Sequence, residues 1–166
     1  MKKDNLKYSI YSVMFGFFIM GFVDIIGIAT SYVKNDFSEL TDSRVNLISF
    51  FCFLWFLILS IPTGLLMNKI GRKKTVLLSF LITTLAMCFP LINYSFISII
   101  IAFALIGIGN TILQASLNPL VTDVVTSERL TGSLTLGQFI KAVSSFLGPL
   151  LTAGIVGSFL GWKMIF

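Results

Sequence analysis

The chain has 166 residues, 56% of them hydrophobic and only 11% charged, too little surface charge for a water-soluble domain of this size; a bilayer is the better solvent. Its net charge of +5 is spread over short loops instead of gathered on one solvated face, which argues against nucleic-acid binding. There is no His, no paired carboxylate and no nucleophile beside a base, so the sequence argues against an enzyme and calls for no cofactor.

From the N-terminus, 26 residues separate Lys7 from Lys34 with one charge between them, Asp24, and this run predicts a first span near 8–33. A cleavable signal peptide is the other reading of that run. Its length, its internal Asp24 and the lack of a small-x-small cleavage site speak against it. The 24 uncharged residues between Arg44 and Lys69 predict span two near 45–67. The 48 between Lys74 and Asp123 are enough for two spans, near 75–91 and 95–121, with Pro90, Leu91, Ile92, Asn93, Tyr94 and Ser95 as the turn. The run between Arg129 and Lys163, broken only by Lys141, predicts span five near 131–157, and a sixth helix starts near 162. The runs are continuously apolar, whereas lipid-facing strands would alternate, so the fold class is an all-α membrane protein with five transmembrane helices plus the start of a sixth. Cys52 and Cys88 each sit alone inside a span and read as small buried hydrophobes, with no metal site or disulfide framework.

Orientation follows from the cations. The N-terminal tail carries Lys2, Lys3 and Lys7, and the loop after span two carries Lys69, Arg72, Lys73 and Lys74, so both belong in the cytoplasm. The loop holding Lys34, Asp36, Glu39, Asp42 and Arg44 is net acidic and is expected outside. The loop with Asp123, Glu128 and Arg129 returns to the inner side, and parity holds through all five spans.

Asp24 stands out because a carboxylate in mid-membrane costs several kcal/mol unless it is neutral, paired or hydrated. It reads either as a protonated packing group or as a group that carries a proton. Gly21 and Gly27 flank it one turn either way, which predicts a close approach by a neighbouring backbone, water or ligand. Span four carries Asn110, Gln114 and Asn118 at i, i+4 spacing, so three amides share one face. Interhelical hydrogen bonding is one reading; a wet cavity is the favoured one, because amides both donate and accept, as sugar hydroxyls do. A second stripe, Gly107, Thr111 and Ala115, suits close helix packing.

Span five brings Gln138, Lys141, Ser145 and Thr152 into one narrow sector, and its small residues Ser144, Gly148, Ala153, Gly154 and Gly157 predict a central position. Lys141 either serves as a cation inside the site or snorkels toward the cytoplasm. It stands roughly 15 Å past Arg129, too far for easy snorkelling, which favours the cavity. Asp24 and Lys141 are expected about 10 Å apart in level, two charges in one hydrated cavity that bias each other's protonation, with a direct bridge between them left open.

The loop Gly64, Leu65, Leu66, Met67, Asn68, Lys69, Ile70, Gly71, Arg72, Lys73, Lys74 resembles the signature that the major facilitator superfamily carries between helices two and three, Gly-x-x-x-Asp-Arg/Lys-x-Gly-Arg-Lys/Arg. Here Gly64 is expected to allow close packing, Gly71 a tight turn, and Arg72 to reach an acidic helix end, with Asp123 as its partner. The family's Asp is Asn68 in this chain, which removes one charge from the inner gate. The likeness extends to Glu128, Arg129 and Gly132 before span five and to Leu147, Gly148 and Pro149 inside it. It also reaches Gly161, Trp162, Lys163, Met164, Ile165 and Phe166, similar to a Gly-Trp-Arg segment that opens helix six.

Within the superfamily the chain most resembles the fucose and glucose/galactose symporter group. Asp24, Ile25, Ile26 is similar to that group's Asp-Ile-Leu segment, and Gln114, Ala115, Ser116, Leu117, Asn118, Pro119 stands where the group has Glu-Thr-Ala-x-Asn-Pro. The resemblance implies two six-helix bundles of inverted repeats with substrate held between them at the midplane, of which this chain is an incomplete N-terminal bundle. Gly21 with Asp24 and Gly107 with Asn110 faintly echo such a repeat.

It implies cation-coupled alternating access for a sugar in a bacterial cytoplasmic membrane. Asp24 would be the coupling carboxylate, Asn110, Gln114, Asn118, Gln138 and Lys141 would contact sugar or tune Asp24, and proton or sodium would be the coupling cation. Gln114 cannot titrate, so coupling does not carry over to that position, while sugar hydrogen bonding does. Gly64, Asn68, Gly71, Arg72, Lys73, Asp123 and Arg129 would form the inner gate. The implied partners are the sugar, the cation, the bilayer and the missing C-terminal bundle. The alternatives are an exporter of amphipathic compounds and a truncated, non-transporting membrane protein.

Overall fold

The computed structural model describes residues 3–155, with side chains described for residues 10–155. The expected sixth helix lies outside the described residues. Six helices build five spans: α1 (Lys3–Phe22) and α2 (Ile26–Asp36) together form span one, joined by a single 3-10 turn at Val23–Ile25. Spans two to five are α3 (Asp42–Ile70), α4 (Arg72–Ile92), α5 (Phe96–Val124) and α6 (Ser127–Ile155). Each is long and apolar enough to cross a membrane. Every span matches one predicted from the sequence, and most helix ends run past the predicted limits because their polar ends stay helical beyond the apolar run; α5 begins one residue inside its limit, at Phe96. The turn between spans three and four is shorter than expected: Pro90 is buried inside α4, and Ser95 opens α5 by accepting from the Ser98 amide at 3.2 Å.

The 3-10 turn falls on Asp24 itself, between the β-branched Val23 and Ile25. Here the Ile26 amide donates back to the Val23 carbonyl, tightening the helix by one residue. Asp disfavours helix interiors because its side chain competes for nearby backbone groups, so a poor helix former sits where the helix changes pitch.

The α5 helix is the hub and the most buried span. Two apolar clusters pack around it. Toward the Lys34 end, Ile26, Ala29, Val33, Val45, Ile48, Cys52, Ile99 and Phe103 meet. Toward the Arg72 end, Val13, Phe17, Met20, Val76, Leu113, Leu117 and Val121 meet. A small apolar cavity of about 60 Å³ lies between them beside the 3-10 turn, lined in part by Phe22, Val23, Thr83, Met87 and Phe103. The second stripe of α5 packs as expected at Gly107, which lies against the Cys52 carbonyl of α3, and at the buried Thr111, while Ala115 is only half-buried.

Two expectations fail. The α6 helix is not central: Ser144, Gly148 and Thr152 are buried, but Ala153 and Gly154 are exposed, as are Phe139, Phe146 and Leu150. One face of α6 packs on span one, a smaller contact joins it to α5, and the remainder is open among the described residues, so its small residues serve a single interface. Cys52 is buried as expected, whereas Cys88 lies exposed on α4 among Leu81, Leu85 and Phe89, a face that suits lipid.

Candidate functional site at Asp24 and the Arg72 clamp

The site at Asp24 depends on how closely α1 and α6 approach. Phe17 fills the space over Gly137, and Ser144 Oγ donates to the Phe18 carbonyl at 2.6 Å. Gly21 sits directly against the Lys141 carbonyl and the Ser144 Cβ, so a side chain at position 21 would collide with backbone. Ile25 covers Gly148 one turn further on. These contacts bring the next face of α6 to the 3-10 turn and place Ser145 Oγ 2.6 Å from Asp24 Oδ2.

The Ser145 hydroxyl has one proton to give. The Asp24 carboxylate is its closest acceptor, with the Lys141 carbonyl at 3.0 Å and the Gly21 carbonyl at 3.2 Å as the alternatives. Asp24 itself is exposed on the side that the described helices leave open. No ion pair joins it to Lys141 among the described residues, and the two differ in level by about 6 Å, one helical turn, less than the sequence reading, because Asp24 meets Ser145 four residues on from Lys141. Gly21 supplies the predicted close approach. Gly27 does not: it faces open space.

The amide row divides. Gln138 Nε2 donates to Asn118 Oδ1 at 3.4 Å, a long hydrogen bond that ties α6 to α5 one turn from Lys141. Gln114 is half-buried and makes no side-chain hydrogen bond among the described residues. Asn110 is only 4% exposed, with its Oδ1 unpartnered, so it faces the packed interior and not the open side where Asp24 lies. The shared face read from the i, i+4 spacing is real, but α5 is surrounded, and the row runs from open to buried along its length.

At the other charged site, Gly71 takes φ +88°, a left-handed region that a side chain rarely adopts, and turns the chain from α3 into α4 in one residue. Arg72 then reaches the last turn of α5. Its guanidinium lies 2.6 Å from Asp123 Oδ1, 2.7 Å from Thr122 Oγ1 and 3.0 Å from the Pro119 carbonyl. A cation on the carbonyl end of a helix is favoured by the helix dipole, and the Thr122 hydroxyl, donating to Pro119 at 2.7 Å, is left free to accept from Arg72. The predicted Arg72 and Asp123 pairing is therefore present. The rest of the inner-gate set is not assembled with it: Gly64 faces open space, and Asn68, Lys73 and Arg129 are exposed and outside any ion pair among the described residues.

Sequence reasoning placed Ser145 in the polar sector of span five but did not identify it as the partner of Asp24. The signal was present in the helical sector, though the close approach at Gly21 that makes the contact possible could not be read from it. At the opposite end, Tyr94 donates to Asp36 Oδ2 at 2.5 Å, and its ring stacks with Phe37. Burial, then the neighbouring Asp36 carboxylate, pushes the Tyr94 phenol well above its usual range.

These features define a polytopic α-helical membrane protein with one half-open polar site in mid-span and one ion-pair clamp at a helix end. The model of the Major Facilitator Superfamily matches residues 12–166, and the chain belongs to that family. It is 27% identical to a "Glucose/galactose transporter" of Brucella abortus biovar 1 (strain 9-941), over 92% of this chain and 38% of that protein. It is likewise 27% identical to a "Putative glucose/galactose transporter" of Helicobacter pylori (strain ATCC 700392 / 26695), over 95% of this chain and 39% of that protein. A "Putative multidrug resistance protein MdtD" of Escherichia coli O17:K52:H18 (strain UMN026 / ExPEC) is 22% identical over 98% of this chain and 34% of that protein. The chain thus spans less than two fifths of the length of these curated relatives. No solved structure matches it.

Proposed function

We propose that this chain forms part of a cation-coupled hexose transporter of the cytoplasmic membrane, the N-terminal portion of a two-bundle protein that works by alternating access. The observation that carries the reading is the Asp24 and Ser145 pair: a mid-span carboxylate held by one hydroxyl and otherwise open. The similarity to the glucose/galactose transporters supports sugar as the substrate class.

The pair offers a simple proton device. While Asp24 is ionised, Ser145 donates to it. When Asp24 takes up a proton, it donates to Ser145 Oγ, and the Ser145 proton turns to the Lys141 carbonyl 3.0 Å away, within its own helix. One proton enters and no other bond breaks. The contact between spans one and five thereby changes direction, in the part of span one that is already a 3-10 turn. Gln138, Asn118 and Gln114 lie alongside as neutral groups suited to sugar hydroxyls, and Lys141 adds a cation near the same level. The cation-rich Arg72 end is assigned to the cytoplasm on the excess of Lys and Arg there.

In the full-length protein, Asp24→Asn should abolish uphill uptake of labelled galactose while leaving galactose exchange intact. If uphill uptake survives, Asp24 is not the coupling group. A second reading, export of amphipathic compounds, draws support from the MdtD similarity. It would be favoured if the cells expelled ethidium faster and took up no hexose.

A further inference from the structure

A groove of about 510 Å³ opens at the Lys34 end of the bundle between α2 and α3, and its polar lining is Thr30, Ser31, Lys34, Asn35, Asp42 and Asn46. None of these residues belongs to the site at Asp24. Lys34 Nζ lies 2.8 Å from Asp42 Oδ1 and donates to the Leu40 carbonyl at 2.6 Å, so the two charges of the groove cancel each other. Thr30 spends its hydroxyl proton on the Gly27 carbonyl at 2.7 Å. Ser31, Asn35 and Asn46 make no side-chain hydrogen bond among the described residues. The groove therefore presents one hydroxyl and two amides, each able both to donate and to accept, in a lining whose one cation and one carboxylate are paired. That chemistry suits a neutral polyhydroxylated molecule; an ion would meet a pair that already neutralises itself.

The groove is connected to Asp24 along one face of span one. Gly27, Ser31 and Asn35 follow Asp24 at three, seven and eleven residues, close to whole helical turns. Gly27, with nothing near the place a Cβ would occupy, leaves this track open. At about 1.5 Å per residue, Ser31 and Asn35 stand roughly 10 and 16 Å beyond Asp24, so a molecule held by their side chains is at a separate position from one held at the carboxylate.

We propose that this groove is an outward-facing access site for the transported hexose, occupied before the sugar reaches Asp24. The proposal rests on the sugar-transport reading above, and the test separates the two. In a Cys52→Ala, Cys88→Ser background of the full-length protein, Ser31→Cys and Asn46→Cys are introduced singly, with Ser38→Cys in the adjoining loop as control. Sealed right-side-out vesicles are treated with a membrane-impermeant maleimide, with galactose or with glycine betaine at equal osmolarity.

Galactose at twice its dissociation constant should slow labelling of both groove positions about threefold, leave Ser38→Cys unchanged, and do the same when Asp24→Asn is added. Labelling unaffected by galactose in a protein that still takes galactose up would overturn the access site and leave the transport reading standing. Protection that disappears with Asp24→Asn would also overturn it, since the effect would then be transmitted from the carboxylate. Labelling that requires permeabilised vesicles would overturn the outward placement. Neither uptake nor protection with any hexose would overturn both readings together.

Discussion

Arg72 and Asp24 carry opposite charges at different depths of one bundle, and their surroundings differ in kind. Arg72 sits at a helix start with its acceptors assembled: a carboxylate, a hydroxyl and a backbone carbonyl, all from the last turns of α5. Asp24 sits where span one changes pitch, with a single hydroxyl on one side and an open face on the other. A saturated charge fixes one arrangement of two helices. A charge with one movable partner can change its protonation and its hydrogen bond without unmaking the fold. Arg72 thus clamps α4 to α5, while under the proposed function the contact between spans one and five stays adjustable at Asp24.

The contrast depends on the backbone contact at Gly21, so the largest expected effect is there. Gly21→Leu would drive a side chain into the Lys141 carbonyl and Ser144, separating α1 from α6. Overpacking of this kind costs about 1–3 kcal/mol, and more where the obstacle is backbone, so the detergent-purified protein should melt far below the wild type. Gly27→Leu, two turns along on the open side, should melt with the wild type. Equal melting of the two variants would mean that Gly21 does not position Asp24.

Arg72→Ala comes next. It strips three acceptors of their donor, but the side chains of Arg72 and Asp123 are 38% and 50% exposed, so water compensates in part. A loss of about 1–2 kcal/mol is expected, read from thermal unfolding. Arg72→Lys should recover only a fraction, because all three contacts are made by Nη1 and a lysine ammonium ends one bond short of that position. Full recovery by Lys would reduce the clamp to simple charge attraction.

The same contrast explains what could be read from the sequence. The five spans were legible because a bilayer imposes one rule, long apolar runs bounded by charge, on every helix. The turn and ion pair at Gly71, Arg72 and Asp123 were legible because they obey short-range rules: a glycine for positive φ, and a cation for a helix end. The surroundings of Asp24 were only half legible. The residue announces itself by its cost in lipid, but its partner is set by an interhelical register that depends on where Gly21 meets α6. The amide row shows the limit most directly: its spacing is correct, yet Asn110 is enclosed by neighbouring helices while Asp24 faces the open side, a difference that no property of α5 alone encodes. The central placement expected of α6 failed for the same reason, since small residues mark an interface but not how many faces have one.

Ser145→Ala sharpens the comparison further. It removes the one hydroxyl that Asp24 has among the described residues and leaves the packing at Gly21 and Gly148 untouched. Loss of a hydrogen bond of about 0.5–1.5 kcal/mol corresponds to a roughly two- to tenfold decrease, expected in uphill galactose uptake with exchange unchanged. An equal fall in both would assign Ser145 to sugar binding instead of to coupling.

The smallest effect is expected at Gly64, the first glycine of the loop signature. Its resemblance to the family motif predicts close packing, but a Cβ there would meet no atom of the described residues. Gly64→Ala should therefore change the melting temperature by no more than a surface substitution does, about 0.5 kcal/mol in stability. Transport gives the second reading of the same variant. If uptake falls while stability holds, the space beside Gly64 is filled only during the transport cycle, by a segment that approaches and withdraws. The Arg72 end would then combine a fixed clamp on α5 with a moving contact one helix away, and the division between saturated and adjustable sites would run through the loop itself. If stability falls instead, Gly64 packs permanently against chain outside the described residues, and the clamp and the glycine belong to one static structure.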